Sequence, residues 1–364
     1  MGLPLKLDTR DLLTEPIFDK FHLLVRQRFE IGSHGSINVV TVGGGTGLST
    51  VLFGLKDFVR APNRALSIAQ LSAIVSVTDD GGSSGRLRTE FKMLPPGDVR
   101  NCIVALSEDS LLLSRLFRYR FTGEGGLSGH SFGNIFLAAL TEMTGDFAEA
   151  VRLSSGVLAS KGHIYPATNA NVHLVAELDN GTVVEGETKI SQAGEKLKKL
   201  YLDPETCVPL PEAISAIESA DIITIGPGSL YTSLLPPLLV PGLADAIGNS
   251  GAVKVFVNNL MTQPGETTGL SAVDHLQELR QYAQNIRFDH VIVNDQPISA
   301  GQRERYSAEG SEQIGLDEGE SISQACGANV VYANLLEGGE MVRHDSKKLA
   351  EAILSCINFA QTAS

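Results

Sequence analysis

The densest glycine cluster of the chain lies between an apolar and an amphipathic stretch and comprises Gly43, Gly44, Gly45, Thr46 and Gly47. The surrounding sequence, VVTVGGGTGLSTVLFGL, predicts a strand, a tight turn and a helix. Such a turn can bring bare backbone N–H groups up to an anion, because glycine has no Cβ to stand in the way. The cluster therefore predicts a phosphate-binding loop, although a βα turn without a ligand would have the same composition.

Two familiar nucleotide-binding patterns do not fit this loop. The dinucleotide pattern G-x-G-x-x-G fails because Leu48 occupies the third glycine position, and the P-loop pattern fails because no lysine follows Gly47. An ATPase of the Walker type and an NAD(P)-dependent oxidoreductase are thus both disfavoured.

A second loop, TDDGGSSGRLR, follows another apolar run and carries both acidic and basic groups. Its candidate binding residues are Asp79, Asp80, Ser83, Ser84, Arg86 and Arg88. The carboxylates could ligate a metal or accept hydrogen bonds from a ribose, and the guanidinium groups could pair with phosphate. The alternative is that the aspartates only form a turn beside solvated arginines.

Two predicted helix starts could also face a ligand. In LPPGDVRNCIVAL we predict Asp98 as the N-cap, with Arg100 and Asn101 on the first turn. In GHSFGNIFLAAL, His130, Ser131 and Asn134 head an apolar helix. A lone histidine such as His130 is more often a packed or capping residue than a catalytic one.

Two further polar loops complete the predicted site. In IGPGSLYTSLLPPLL, the residues Gly226, Pro227, Gly228 and Ser229 predict a second anion-binding nest, and two such loops suit a diphosphate. In NNLMTQPGET, the groups suited to bind a base or sugar hydroxyl are those of Asn258, Thr262, Gln263 and Glu266.

Short β-rich runs alternate with helical stretches from Ile37 onward, which predicts an α/β fold with a mainly parallel sheet. The predicted strands are INVVTV (37–42), LSAIVSV (71–77), DIITI (221–225), VKVFVN (253–258) and HVIVN (290–294). The polar loops described above follow four of these runs, as expected for ligand loops at the carboxyl ends of parallel strands. Between residues 170 and 190, alternation about Asn180-Gly181 predicts an inserted hairpin with a type I′ turn.

The first 35 residues differ from the remainder. Ile17, Phe21 and Leu24 fall at helical spacing and GSHGS breaks the pattern, so we predict a helical extension over 1–35 and a single α/β domain over 36–364. The extension could bind a partner, support a homo-oligomer or simply pack on the domain.

Composition limits the partners and the compartment. The net charge is −13, from 29 Lys and Arg against 42 Asp and Glu, which disfavours nucleic acid and anionic membranes as partners. The four cysteines lie far apart, as in reduced proteins without a zinc site. We see no signal-peptide core, and the apolar runs are far shorter than the roughly 18 residues of a membrane span. We therefore expect a cytoplasmic protein.

The quoted motifs, in this order, closely resemble those of the bacterial gluconeogenesis factors, the YvcK-like relatives of 2-phospho-L-lactate transferase in the CofD-like superfamily. The resemblance covers roughly residues 37 to 345. It implies a Rossmann-like fold with helices on both faces of the sheet. It also implies binding of a UDP-sugar, such as UDP-N-acetylglucosamine or UDP-glucose, and a role in cell shape and cell-wall synthesis during gluconeogenic growth.

From these observations we predict a regulatory protein that binds a nucleotide-sugar and a protein partner in cell-wall control, without turnover of its own. The alternative is a metal-dependent transferase of the 2-phospho-L-lactate transferase type. In that enzyme Asp79 and Asp80 would bind Mg²⁺ beside a nucleotide-activated donor. GGSSGRLR and GDVRN are closer to the gluconeogenesis-factor pattern than to that of the transferases.

Overall fold

A computed structural model of the protein describes residues 35–62, 64, 66–108, 111–316 and 318–360. The predicted N-terminal helix lies outside the described residues. The strands are β1 Gly35–Gly43, β2 Leu66–Val75, β3 His163–Pro166, β4 His173–Leu178, β5 Val183–Glu185, β6 Leu197–Asp203, β7 Ile222–Ile225, β8 Val253–Val257, β9 His290–Asn294 and β10 Asn329–Ala333.

Helices occupy most of the segments between these strands. The α-helices are α1 Gly45–Leu55, α2 Gly82–Phe91, α3 Gly97–Leu106, α4 Leu111–Arg118, α5 Phe132–Thr144, α6 Phe147–Val157, α7 Glu187–Gln192, α8 Pro211–Glu218, α9 Leu235–Leu238, α10 Leu243–Asn249, α11 Ala272–Tyr282, α12 Ala300–Ala308, α13 Gly319–Cys326 and α14 Ser346–Ala360. A 3₁₀ turn spans Lys56–Phe58, and a π-helix spans Leu230–Leu234 just before α9.

Seven parallel strands form the main sheet in the order β10-β9-β8-β7-β1-β2-β3. The central strands are Val- and Ile-rich and buried on both faces, as parallel strands covered by helices must be. The α/β prediction and its five strands are confirmed. The strands β3 and β10 were not predicted, because one has only four residues and ends in proline and the other is half-exposed.

The strand order places a topological switch point between β1 and β7. The chain builds β1, β2 and β3 outward in one direction and then returns to β7 on the other side of β1. At such a point the connections from two neighbouring strands lead in opposite directions, which leaves a crevice at the carboxyl edge of the sheet. The two glycine-rich loops of the sequence leave these two strands.

The predicted antiparallel excursion is present as a three-stranded sheet of order β5-β4-β6. Its turn differs from the prediction. Gly181 has a positive φ of 83° and Asn180 does not, whereas a type I′ turn needs positive φ at both central residues. The Gly181 N–H donates to Leu178, and the Leu178 N–H donates to Thr182. The hairpin therefore closes through a longer turn that ends in a left-handed glycine.

In the described part of the chain, no single helix has both the length and the apolar character to cross a membrane. One bent pair, Leu230–Leu238 with Leu243–Asn249, meets that criterion by length and composition only. The residues of Leu230–Leu238 are buried in the core.

Candidate functional site

A cavity of about 850 Å³ lies in the crevice at the switch point. Its walls include Gly44 to Gly47 at the start of α1, Pro227 to Ser229 after β7, and Asn259 to Met261 after β8. Asn101 and Arg118 contribute from α3 and α4. A fourth wall comes from Glu337, Val342, Arg343, His344 and Ser346 near the C-terminus. The cavity is large enough for a small-molecule ligand of nucleotide size.

The first glycine loop leaves β1 and enters α1 in a conformation that requires glycine. Gly45 has a φ of 63°, in the left-handed region. A Cβ on Gly47 would lie 2.1 Å from the carbonyl oxygen of Pro227, so the two glycine-rich loops touch through their backbones. Thr46 and Gly47 lie in the first turn of α1, where N–H groups have no acceptor within the helix. This end of the cavity is therefore suited to an anion.

The second glycine loop does not offer the free N–H groups that we predicted. The Gly228 N–H donates to Asn259 Oδ1 at 3.0 Å, and Asn259 Nδ2 donates back to the Gly228 carbonyl at 2.8 Å. The Gly226 N–H donates to Val42, and Pro227 has none. These N–H groups are therefore bound within the protein while the loop lines the cavity, and anion binding by the loop stays a prediction.

The paired aspartates have separate structural partners. Asp80 Oδ1 accepts hydrogen bonds from the backbone N–H and the hydroxyl of Thr188, at 3.0 and 2.7 Å, and so caps α7 from outside. Asp79 Oδ1 accepts the Gly81 N–H at 2.9 Å. Across the described ranges, no cluster of three or more His, Cys, Asp or Glu side chains is arranged to hold a metal ion. Each aspartate thus has its own hydrogen-bond partners in the loop or in α7, and a shared Mg²⁺ site at this pair stays a prediction.

The arginines that were predicted to pair with phosphate make hydrogen bonds to other groups of the protein. Arg86 donates to the Ser128 carbonyl at 2.7 Å, and buried Arg88 donates to Asn171 Oδ1 and the Val172 carbonyl. Arg100 donates to Asn101 Oδ1 at 2.6 Å. Burial lowers the pKa of both Arg88 and Arg100. These contacts anchor loops and helices, and the cations that do line the cavity are Arg118 and Arg343.

Ser83, Ser84, His130 and Asn134 form a buried polar network between α2 and α5. Ser83 Oγ lies 3.0 Å from His130 Nδ1 and accepts a hydrogen bond from Asn134 Nδ2 at 3.2 Å. Asn134 Nδ2 also reaches Ser84 Oγ at 3.5 Å. These contacts support the role of a packed residue for His130 over that of a catalytic one.

The loop after β8 is divided between structural and cavity-lining residues. Thr262 is buried and its hydroxyl accepts the Glu312 N–H at 2.8 Å. Glu266 Oε1 accepts the Tyr231 and Thr232 N–H groups at the start of the π-helix, at 2.9 and 3.2 Å. Gln263 lines the cavity and donates to Ser229 Oγ at 2.8 Å. Asn258 is buried beneath the loop and is not one of the lining residues.

A group of carboxylates lies directly behind the first glycine loop. Asp98 Oδ2 accepts the Gly45 N–H at 2.7 Å. Burial and the nearby charge of Asp79 raise the pKa of Asp98 to about 7. Glu187 accepts the Thr78 hydroxyl at 2.5 Å, and burial together with the charge of Asp98 raises the pKa of Glu187 well above its usual value. The predicted N-cap role of Asp98 is wrong, because Pro96 is the N-cap and Asp98 lies in the first turn of α3.

The sequence analysis missed the C-terminal wall of the cavity. Burial lowers the pKa of His344 to about 4, so its ring is neutral at physiological pH. Its Nε2 is buried without a hydrogen-bond partner among the described residues. Arg343 and His344 lie in the segment that follows β10 and contains Gly338 and Gly339, and they were missed because β10 was not predicted as a strand. Asn259 was within a quoted motif, and its role could have been suspected from its place directly after a strand.

The sequence matches the family described as 2-phospho-L-lactate transferase CofD over residues 39–336. It is 47% identical over 317 residues to a protein named gluconeogenesis factor from Halalkalibacterium halodurans, covering 87% of this chain and 95% of that relative. The gluconeogenesis factor of Bacillus subtilis is 42% identical over 320 residues, with 88% of this chain and 98% of the relative covered.

Solved structures agree with the fold. A crystal structure of a protein from Bacillus halodurans superposes with a TM-score of 0.82 at 46% sequence identity, covering 88% of this chain and 99% of the other. Because the family match spans most of the chain and the relatives are aligned over nearly their full length, the chain belongs to the CofD family and is similar to those of its members that are named gluconeogenesis factors.

Proposed function

We propose that this protein is a cytoplasmic gluconeogenesis factor that binds a UDP-sugar and regulates cell shape and cell-wall synthesis through a protein partner. The observation that carries the proposal is the cavity at the switch point, where the first turn of α1 meets a space of about 850 Å³. An anionic diphosphate suits the N–H groups of Thr46 and Gly47. Arg118 and Arg343 line the same cavity and can offset its charge.

The sugar or base would occupy the part of the cavity away from the glycine loop. Gln263 and His344 line the cavity, and each carries a buried polar atom without a protein partner in the described structure, Gln263 Oε1 and His344 Nε2. Gln263 Oε1 is an acceptor, and so is His344 Nε2 when the ring proton is on Nδ1, where it can hydrogen-bond the Asn258 backbone; both atoms then suit hydroxyl or N–H donors of a ligand. Ligand binding between four loops would shift the population of their conformations, and with it the surface offered to a partner.

Calorimetric titration with UDP-N-acetylglucosamine, with and without Mg²⁺, tests the proposal, and GTP and NADP⁺ serve as controls. We expect metal-independent binding of the UDP-sugar and recovery of the ligand unchanged. Arg118→Ala should weaken binding about tenfold, since a charge-assisted contact contributes roughly 1.5 kcal/mol. Arg115→Ala is the matched control, because Arg115 is an exposed arginine of the same helix outside the cavity lining.

The second candidate is a transferase, which the family match over residues 39–336 favours. That enzyme would require a divalent metal and consume a nucleotide-activated donor. The separate partners of Asp79 and Asp80 argue against the metal pair expected for it. Binding of GTP that depends on Mg²⁺, or recovery of a cleaved donor, would replace the regulatory proposal by the transferase.

A further inference from the structure

One of the N–H groups at the start of α1 already donates a hydrogen bond to a carboxylate. Asp98 Oδ2 accepts the Gly45 N–H at 2.7 Å, and a Cβ built on Gly44 would also lie 2.7 Å from this oxygen. Asp98 therefore lies against the backbone of the glycine loop itself. A diphosphate bound at Thr46 and Gly47 would lie within a few residues of this negative charge.

The charged groups around Asp98 do not compensate for a second anion. Asp79 faces it from the loop after β2, and Glu187 faces it from α7. From its own helix, Arg100 and Cys102 are the titratable neighbours. Arg100 is the single cation among them, and its guanidinium donates to Asn101. Burial raises the pKa of Cys102 well above its usual value, so the thiol carries no charge at neutral pH.

We propose that Asp98 takes up one proton when a UDP-sugar binds at the glycine loop, so that binding is coupled to pH. The inference rests on the proposed function and adds that ligand binding is coupled to the uptake of a proton. Once protonated, the Asp98 carboxyl no longer repels the diphosphate. A proton on Oδ1 leaves Oδ2 free to accept the Gly45 N–H as it does in the structure. A buried acid with a pKa of about 7 changes its protonation at small energetic cost near physiological pH.

The expected consequence is a fall in affinity as the pH rises. Uptake of one full proton makes the association constant fall about tenfold per pH unit above the pKa of the free protein. The diphosphate of a UDP-sugar is esterified at both ends and has no ionisation near neutral pH. Any proton taken up must therefore reside on the protein.

Calorimetric titration with UDP-N-acetylglucosamine in Tris and in PIPES measures this proton, because the two buffers differ in ionisation enthalpy. At pH 8 we expect uptake of close to one proton in the wild-type protein and close to none in Asp98→Asn, which keeps an acceptor for Gly45. Glu187→Gln is the matched control. Glu187 is a second buried carboxyl near Asp98, but its hydrogen bond comes from the Thr78 hydroxyl and not from the glycine loop, so its replacement should leave the uptake in place. Binding without proton uptake in the wild type overturns the inference and leaves the proposed function intact.

Proton uptake that persists in Asp98→Asn also overturns the inference, and would assign the proton to another group such as His344.

A second measurement needs no ligand. Because the folded-state pKa of Asp98 is raised from 3.8 to about 7, the unfolded chain loses this proton first, and native stability falls as the pH rises from about 4 to about 7. The wild type should thus lose stability relative to Asp98→Asn over that range, and parallel pH profiles would contradict the inference. Failure of UDP-N-acetylglucosamine to bind at any pH instead overturns the proposed function, on which this inference depends.

Discussion

The two glycine-rich loops at the switch point have similar compositions and different roles. The loop after β1 leads into α1 with first-turn N–H groups of Thr46 and Gly47 at the cavity. In the loop after β7, the Gly228 N–H and carbonyl are both bound by the side chain of Asn259. The difference lies in the neighbouring strand, which places an amide side chain beside one loop and not beside the other. Glycine content alone thus does not identify an anion site, because the partners of the N–H groups decide it.

The largest expected effect concerns the contact between the two loops. In Gly47→Ala the new Cβ would lie 2.1 Å from the Pro227 carbonyl oxygen, so one backbone must move. We expect the free energy of unfolding to fall by about 3 kcal/mol, as for other overpacked sites. Urea denaturation measures this change.

Gly301→Ala is the matched control, since Gly301 also lies in the first turn of a helix and has open space around its Cα. The control should be neutral or stabilising by about 0.5–1 kcal/mol, the helix preference of alanine over glycine. Equal effects of the two substitutions would show that the close approach of the loops has no energetic importance.

A smaller loss of stability is expected when the hydrogen bonds that hold the loop after β7 are removed. Asn259→Ala removes both hydrogen bonds to Gly228 and leaves its backbone groups without their partner. We expect a loss of about 2 kcal/mol in unfolding free energy. The exposed residue Gln324 offers a control, because Gln324→Ala in α13 should change stability by less than about 0.5 kcal/mol.

The Asn259 variant also sharpens the comparison of the two loops. If the second loop were a preformed anion nest, freeing the Gly228 N–H would strengthen binding of the UDP-sugar. We expect weaker binding instead, because the loop loses the support that shapes its side of the cavity. A gain in affinity measured by calorimetry would restore the two-nest arrangement.

What the sequence could predict follows from which interactions are local. Buried parallel strands appear as continuous apolar runs, so β1, β7, β8 and β9 were predicted almost to their ends. The polar loops at their carboxyl ends could be placed together on the same argument. Which groups stay available to a ligand could not be predicted, because Asn259, Thr188 and Val172 reach their partners across large sequence separations. The cavity wall at Arg343 and His344 was missed because β10 was not predicted as a strand.

The smallest expected effect concerns Asp79 and Asp80. Like the two loops, these neighbouring residues are of one type but have different hydrogen-bond partners. Asp80 caps α7 through Thr188, whereas Asp79 accepts the N–H of Gly81 within its own loop. Asp80→Ala should lower the unfolding free energy by about 1 kcal/mol, the typical cost of removing a helix cap. It should also raise amide hydrogen exchange in α7, because the Thr188 N–H loses its acceptor. Glu195→Ala, an exposed acidic residue that follows α7, is the control and should change neither quantity. A contrary result would be that Asp80→Ala leaves hydrogen exchange in α7 unchanged and makes ligand binding independent of Mg²⁺. Asp80 would then be a metal ligand, and the transferase would become the better-supported function.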